Sequence, residues 1–394
     1  MCQSAPLNLY RLTCPWPTPI PQSNESSGST VGPTLFELQE RVQLMMRHSL
    51  QRCRQIMLLP RLRHRPPPQT RQYYSGDKYT MPVYHHPDYT LPLDERHSFP
   101  MERYELVKQE LSNVAPQYNI QIHTPPPATK EQIALIHDHD YLTAFNTGQL
   151  TPLEVRTMGF PWSYELVRRT YRITGATIQC VDDVCGSDTT RISGNLAGGT
   201  HHAFRGHAEG YCIFNDVAVA ARVAQQKHQV GKCLVIDLDV HQGNGTAECF
   251  QDDASVYTWS VHGDNNYPWK SRVPSDLDTP LPDDVSGEDY LNSVEQGLEG
   301  LHASEFDLVF YQAGVDPLRA DRLGRLGLSR EDLQARNALV YSWCAAHDKR
   351  VVVTMGGGYS KPIEKSVEAH VDVFTQGAHM LLERAPAPCF QHRG

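Results

Sequence analysis

Residues Val235-Ile-Asp-Leu-Asp-Val-His-Gln-Gly-Asn-Gly245 constrain this chain more than any other stretch. They read as a short buried strand that runs out into a glycine-rich turn. Side chains alternate across a strand, so Asp237, Asp239 and His241 share one face. Two carboxylates and an imidazole at the end of an apolar strand are costly to bury unless they bind something. A divalent metal suits that donor set. A lone Asp-x-His is more simply a polar strand end that caps the next helix. Here that simpler account weakens, because comparable polar residues follow other candidate strands.

Those strands fall at 81–84, 192–196, 233–239, 255–261, 307–313 and 351–355. Helical spacing marks 101–113, 130–145, 164–182, 216–226, 287–301 and 329–346. Strands alternating with helices imply βαβ units, hence an α/β domain with a mainly parallel central sheet and helices on both faces. The runs Cys-Leu-Val-Ile, Leu-Val-Phe and Val-Val-Val suit strands buried on both sides. This three-layer domain is expected over 80–385, with a short tail at 386–394. Sites in such sheets lie beyond the carboxyl ends of the strands.

The 394 residues can bury such a core without disulfides. Ten scattered cysteines with no Cys-x-x-Cys pair read as reduced thiols. No apolar run reaches the length of a membrane span. Residues 1–79 form a separate extension. Its first 33 residues are rich in Pro, Ser and Thr, and 34–59 place apolar residues at helical spacing between arginines. Pro60 ends that stretch and Pro66-Pro-Pro68 makes a stiff linker. Over 1–78 ten Lys/Arg face four Asp/Glu, a balance of +6, so the remainder carries −15 of the net −9. An arginine-rich, amphipathic start reads as a mitochondrial transit segment, with processing near Arg71-Gln-Tyr-Tyr-Ser75; the alternative is a basic tail on a cytoplasmic or nuclear protein. The acidic body argues against direct nucleic-acid binding and is compatible with cationic substrates.

Four polar clusters follow candidate strands: Asp237/Asp239/His241, Ala313-Gly-Val-Asp316, Gly198-Gly-Thr-His-His202 and Met355-Gly-Gly-Gly-Tyr359. Each alone could be a loop. Together at equivalent strand ends they specify hydrolysis at a metal. Asp239, His241 and Asp316 would give three ligands and leave coordination open for water and substrate. His201 and His202 supply a general base and an imidazolium near neutral pH. Tyr359 can donate its hydroxyl to a developing oxyanion. Asp237 and Asn244 could each orient one histidine.

This constellation resembles the zinc-dependent histone deacetylase family, most closely its class IV branch and bacterial relatives. The motifs are Ile136-His-Asp-His-Asp-Tyr-Leu142, Gly198-Gly-Thr-His-His-Ala203, Gly210-Tyr-Cys-Ile-Phe-Asn-Asp216, the 237–245 stretch, Ala313-Gly-Val-Asp316 with Asp321-Arg-Leu-Gly324, and Gly356-Gly-Gly-Tyr359. The resemblance covers about residues 80–380. It implies the arginase/deacetylase fold and hydrolysis of an acyl-lysine, in a protein or peptide, or of a related amide such as an acetylpolyamine or long-chain acyl-lysine. It further implies Asp239, His241 and Asp316 as zinc ligands, His202 as general base and acid, His201 as its electrostatic partner, and Tyr359 as the carbonyl-polarising residue. Gly210, Tyr211 and Tyr267 match positions lining an acyl-lysine tunnel. A potassium ion beside the zinc is implied at Asp237, Asp239, His241, Ser260 and Val261. Asn244 departs from the Asp that many relatives carry, which should leave His202 less basic. No counterpart of the acidic gate residue found in several relatives is evident.

Arginase-like enzymes of the same fold use two manganese ions and need further carboxylates where Gly243 and Leu318 stand, so one catalytic metal is expected; iron could replace zinc. A second alternative is an inactive acyl-lysine-binding module. Of the remaining residues, Cys212 reads as a packed small hydrophobe. His85, His86, His137 and His139 read as surface or helix-end residues, and Trp259 and Trp269 as packing or loop residues. Asp140 and Glu209 carry no assigned role.

Overall fold

The computed structural model describes residues 79–94 and 96–382. The amphipathic stretch at 34–59, the Pro66–Pro68 linker, the segment at 71–75 and the tail at 386–394 lie outside the described residues.

Among the described residues, eight strands form one sheet: β1 (Met81–Tyr84), β2 (Ile120–His123), β3 (Ile192–Asn195), β4 (Cys233–Asp237), β5 (Val256–Gly263), β6 (Leu277–Leu281), β7 (Leu308–Gln312) and β8 (Arg350–Thr354). Their order is β2-β1-β3-β8-β7-β4-β5-β6, and every pairing among the described residues is parallel. The expected mainly parallel sheet is therefore parallel throughout. Its centre is the apolar material expected there: every residue of β3, β4 and β7 is buried, as are Val351–Thr354 of β8.

The helices are α1 (Arg103–Val114), α2 (Lys130–Ile133), α3 (His139–Thr147), α4 (Pro152–Met158), α5 (Tyr164–Gly186), α6 (Asp216–His228), α7 (Asn244–Phe250), α8 (Gly287–Gly300), α9 (Arg330–Ala346) and α10 (Glu364–Leu382). α5 packs on α6 and on β3, while α10 packs on α9, on α1 and also on β3. One group thus covers each face, giving the expected three layers. None of these helices is long and apolar enough to cross a membrane.

Local signals explain the helix starts. Ser163 Oγ accepts the Leu166 amide at α5, Asn215 Oδ1 accepts the Ala218 amide at α6, and Ser329 with Asp332 forms a capping box at α9. The stretch expected as one helix over 130–145 breaks into α2 and α3, because the chain turns at 134–138 and restarts at Asp138.

Two strands are absent from the sequence expectation, and both are sheet edges. β2 (Ile-Gln-Ile-His) and β6 (Leu-Asp-Thr-Pro-Leu) are mostly exposed or half-buried, so neither carries an apolar run. Pro280 sits on the outermost strand, where a missing amide costs no ladder bond.

The sheet order places the site. β3, β8, β7, β4 and β5 are consecutive neighbours. The segments following them carry His201/His202, Tyr359, Asp316, Asp239/His241 and Tyr267 respectively.

Candidate metal centre and active site

β4 ends at Asp237, two residues earlier than expected, so a bend and not strand alternation carries Asp239 and His241 onward. Ligating atoms of Asp239, His241 and Asp316 nonetheless lie within 4.8 Å of one another, and all three residues are buried. His241 Nδ1 stands 3.0 Å from Asp239 Oδ1 and 3.2 Å from Asp316 Oδ2. The backbone fixes both carboxylates. Asp239 Oδ2 accepts the Gly357 amide at 2.7 Å, and Asp316 Oδ1 accepts the Val240 amide at 2.9 Å.

Asp316 Oδ2 is fully buried, and apart from the approach of His241 Nδ1 at 3.2 Å, which is not aligned as a hydrogen bond, it has no partner. A bare carboxylate oxygen in such a place is costly unless a cation meets it. The protein alone handles the charge poorly: burial, and then the Asp239 charge, push the Asp316 carboxyl up to about 7. Burial resists charging His241, yet the two carboxylates push it up to about 10. Two oxygens and one imidazole nitrogen, closed by protein on one side and open to a cavity on the other, fit a zinc or iron ion. Gly357 is required here, since a Cβ on it would come 1.9 Å from Asp316 Oδ2.

The paired histidines are held by the loop after β3. Buried Asp216 accepts the amides of Gly199 (3.2 Å) and Thr200 (2.8 Å) and the Thr177 hydroxyl. Gly198 turns this loop at φ +74°, where a Cβ would strike the same carboxylate at 2.4 Å. His201 Nδ1 then meets Asp237 Oδ2 at 2.7 Å, and His202 Nδ1 meets Asn244 Oδ1 at 2.7 Å. The two dyads have opposite electrostatics. Burial opposes a charge on His201, but Asp237 and Asp239 overcome it and push its pKa up to about 9. For His202, burial comes first and the charges of His201 and His241 add to it, so it stays well below the ordinary histidine range. At neutral pH the pair is one imidazolium beside one neutral imidazole.

Tyr359 stands across the cavity, its ring edge-on to Phe99 at 5.6 Å. Its amide donates to Asp321 Oδ2. Buried Arg103, which the sequence did not single out, holds the glycine run from behind by donating to the carbonyls of Gly358 (2.7 Å) and Gly356 (3.2 Å). The cavity of about 470 Å³ is lined by these groups and by Gly210, Tyr211 and Tyr267. Tyr267 stacks edge-on against His202 at 5.0 Å, and Tyr211 faces Tyr359 at 6.3 Å. Asp237 lies directly opposite Ser260 in the β4–β5 ladder, and Val261 follows along β5.

Of the side residues, His85 and His137 differ from expectation and the others agree with it. His85 and His137 are buried, not surface groups; His137 Nε2 accepts the Asn215 amide and Nδ1 lies near the Arg205 carbonyl. His139 and Asp140 are exposed. Trp259 is packed and Trp269 is an exposed loop residue at the cavity mouth. Cys212 is buried, and burial raises its thiol well above the usual range, so no thiolate is available. Glu209, without a role in the sequence, is 7% exposed and lies directly behind Asn244 and Tyr267.

Residues 97–374 match the family model described as histone deacetylase domain. An uncharacterized protein of a Picosynechococcus strain is 41% identical over 290 residues, spanning 73% of this chain and 95% of its own length. The histone deacetylase-like amidohydrolase of Pseudomonas aeruginosa is 27% identical, over 61% of this chain and 67% of that protein. Among solved structures, the HDA15 HD domain superposes with a TM-score of 0.66 at 22% identity, covering 77% of this chain and 90% of that one.

Proposed function

The chain belongs to the histone deacetylase family, and from that premise we propose that it is a single-metal amidohydrolase that frees the side-chain amine of an acylated lysine in a protein or peptide. Zinc is the proposed metal, with potassium at Asp237, Asp239, His241, Ser260 and Val261, where the end of β4 adjoins β5. The observation that carries this reading is the buried Asp316 oxygen that makes no aligned hydrogen bond, clustered with His241 and Asp239 and opening on the same cavity as a neutral His202 and Tyr359.

When bound, the metal would supply Lewis acidity to the scissile carbonyl and to water. The rest falls to the chain. With Nδ1 engaged by Asn244, His202 keeps Nε2 for a proton taken from the attacking water and later given to the departing amine. His201, charged through Asp237, holds positive potential where negative charge develops. The Tyr359 hydroxyl donates to the carbonyl oxygen. Tyr211, Tyr267 and Gly210 line the cavity and would flank a linear chain entering it.

The mouth favours a peptide over a free polyamine. Among the described residues, the only carboxylates lining the cavity are the two proposed ligands. Arg322 and Arg325 line it as well. Arg325 pairs with Asp283 at 3.6 Å, but Arg322 is anchored by the carbonyls of Tyr359 and Ser98. No described carboxylate forms an ion pair with it. The body's −15 thus does not extend to the mouth, and the extra ammonium groups of a polyamine would meet a like charge.

The test compares an acetyl-lysine peptide series of increasing acyl length with acetylspermidine. The peptide should win by roughly tenfold in kcat/KM, and Arg322→Glu should narrow that gap. Tyr359→Phe should lower kcat by about 10²–10³. No turnover of any acyl length by the metal-loaded chain would leave a binding module as the better description.

A further inference from the structure

Asn244 and Glu209 together carry a consequence for the base. We propose that Glu209 is a positioning residue: together with the Ser271 carbonyl it holds the Asn244 amide in the orientation that decides which nitrogen of His202 carries the proton. The inference rests on the hydrolase reading for its kinetic meaning, and on hydrogen-bond chemistry for its content.

The amide of Asn244 has two ends and the surroundings distinguish them. One end lies 3.0 Å from the Ser271 carbonyl, 3.3 Å from Ser271 Oγ and 3.3 Å from Glu209 Oε1. A carbonyl and a carboxylate can only accept, so this end is the NH2 group. The other end, 2.7 Å from His202 Nδ1, is therefore the oxygen. An amide oxygen only accepts, so His202 Nδ1 carries the hydrogen and Nε2 presents its lone pair to the cavity.

Glu209 remains an acceptor because it is saturated with donors. Its Oε1 collects the Tyr267 hydroxyl, the Ser271 hydroxyl at 2.5 Å and the Asn244 amide, and His207 Nε2 lies 3.7 Å from Oε2. Burial works against its ionisation, but these donors hold the carboxyl down to about 2. The same geometry gives a reason for asparagine at 244. An aspartate there would place a carboxylate oxygen where Nδ2 now sits, 3.3 Å from Glu209 Oε1, and two carboxylates so close do not both ionise readily. Asp237 thus touches His201 directly, whereas Glu209 acts on His202 through a neutral amide.

The test uses the full metal-loaded chain labelled with ¹⁵N-histidine, with His202→Gln to assign its signals. Two-bond ¹H–¹⁵N correlations should give neutral His202 as the Nδ1–H tautomer. Glu209→Gln replaces one of the two groups that can only accept from the Asn244 amide and leaves the Ser271 carbonyl alone to oppose a turned amide, so a mixed tautomer is expected. With it, kcat should fall about tenfold, with KM and metal content unchanged. Asn244→Asp should also lose activity alone, yet be tolerated in the Glu209→Gln background, a reversal that loss of packing would not produce. A wild-type Nε2–H tautomer would overturn the proposal. So would a Glu209→Gln variant with unchanged tautomer and kcat, or an Asn244→Asp cost equal in both backgrounds. A wild-type chain with no amidase activity would sink the hydrolase reading instead, with the tautomer spectrum still deciding this one.

Discussion

Replacing Asp316 with alanine should empty the centre of metal and lower amide hydrolysis by roughly 10⁴-fold or more, because the Lewis acid is worth several kcal/mol of barrier. The fold should survive. Asp316 Oδ1 accepts only the Val240 amide, so truncation leaves one buried donor unpaired, at about 1–3 kcal/mol. Against that, the variant removes a carboxyl already pushed up by burial and by Asp239. Asp316→Asn keeps an acceptor for Val240 and should be the more stable of the two while losing metal equally. The same groups set a pH dependence. In the metal-free chain at neutral pH, His241, raised to about 10, holds its proton, and Asp316, raised to about 7, holds one part of the time. Metal uptake must displace roughly one to two protons. Affinity should therefore rise as pH climbs from 6 towards 9 and fall as it drops, with proton release visible calorimetrically in buffers of different ionisation enthalpy. An affinity flat across that range would contradict the proposed ligand set.

How much of this was legible beforehand follows from where each residue sits. The central strands announce themselves because both faces are buried, which forces runs such as Val351-Val-Val353. The edges β2 and β6 have no such obligation and carry no signal. α10 was legible in principle: Val367, Phe374 and Leu381 recur every seven residues and are buried, but Ser, His, Thr and Gly on the same face dilute the stripe. α4 and α7 are seven residues each, too short for periodicity to accumulate.

The candidate site was legible where chemistry requires a residue type at a strand end. Asp239, His241, Asp316, His201, His202 and Tyr359 all line the one cavity. What stayed hidden was the support around it. Arg103 lies some 250 positions before the carbonyls it holds, and Glu209 some 35 before the amide it faces. A lone arginine or glutamate has no spacing to betray such a task. Buried His85 and His137 illustrate the converse, since a histidine in a polar stretch resembles a surface residue until its partners are known.

Truncating the two histidines should separate them by different measurements. His202→Ala removes the base, and kcat should fall by about 10²–10⁴ with metal content retained. Its structural cost is modest, because what it leaves behind is the neutral Asn244 amide oxygen, one unpaired acceptor. His201→Ala leaves Asp237, a 4%-exposed carboxylate, without its 2.7 Å partner. Breaking a buried charged pair costs about 3–5 kcal/mol, so this variant should lose on the order of 10 °C in Tm besides its activity. Raising the pH should not restore it, since Asp237 then stays charged and unpaired, whereas lowering the pH protonates Asp237 and should narrow the gap to wild type. The comparison needs only thermal melts at two pH values and a turnover assay. Equal Tm losses for both variants would mean that the charge assigned to His201 is not there, and the division of labour between the two rings would have to be abandoned.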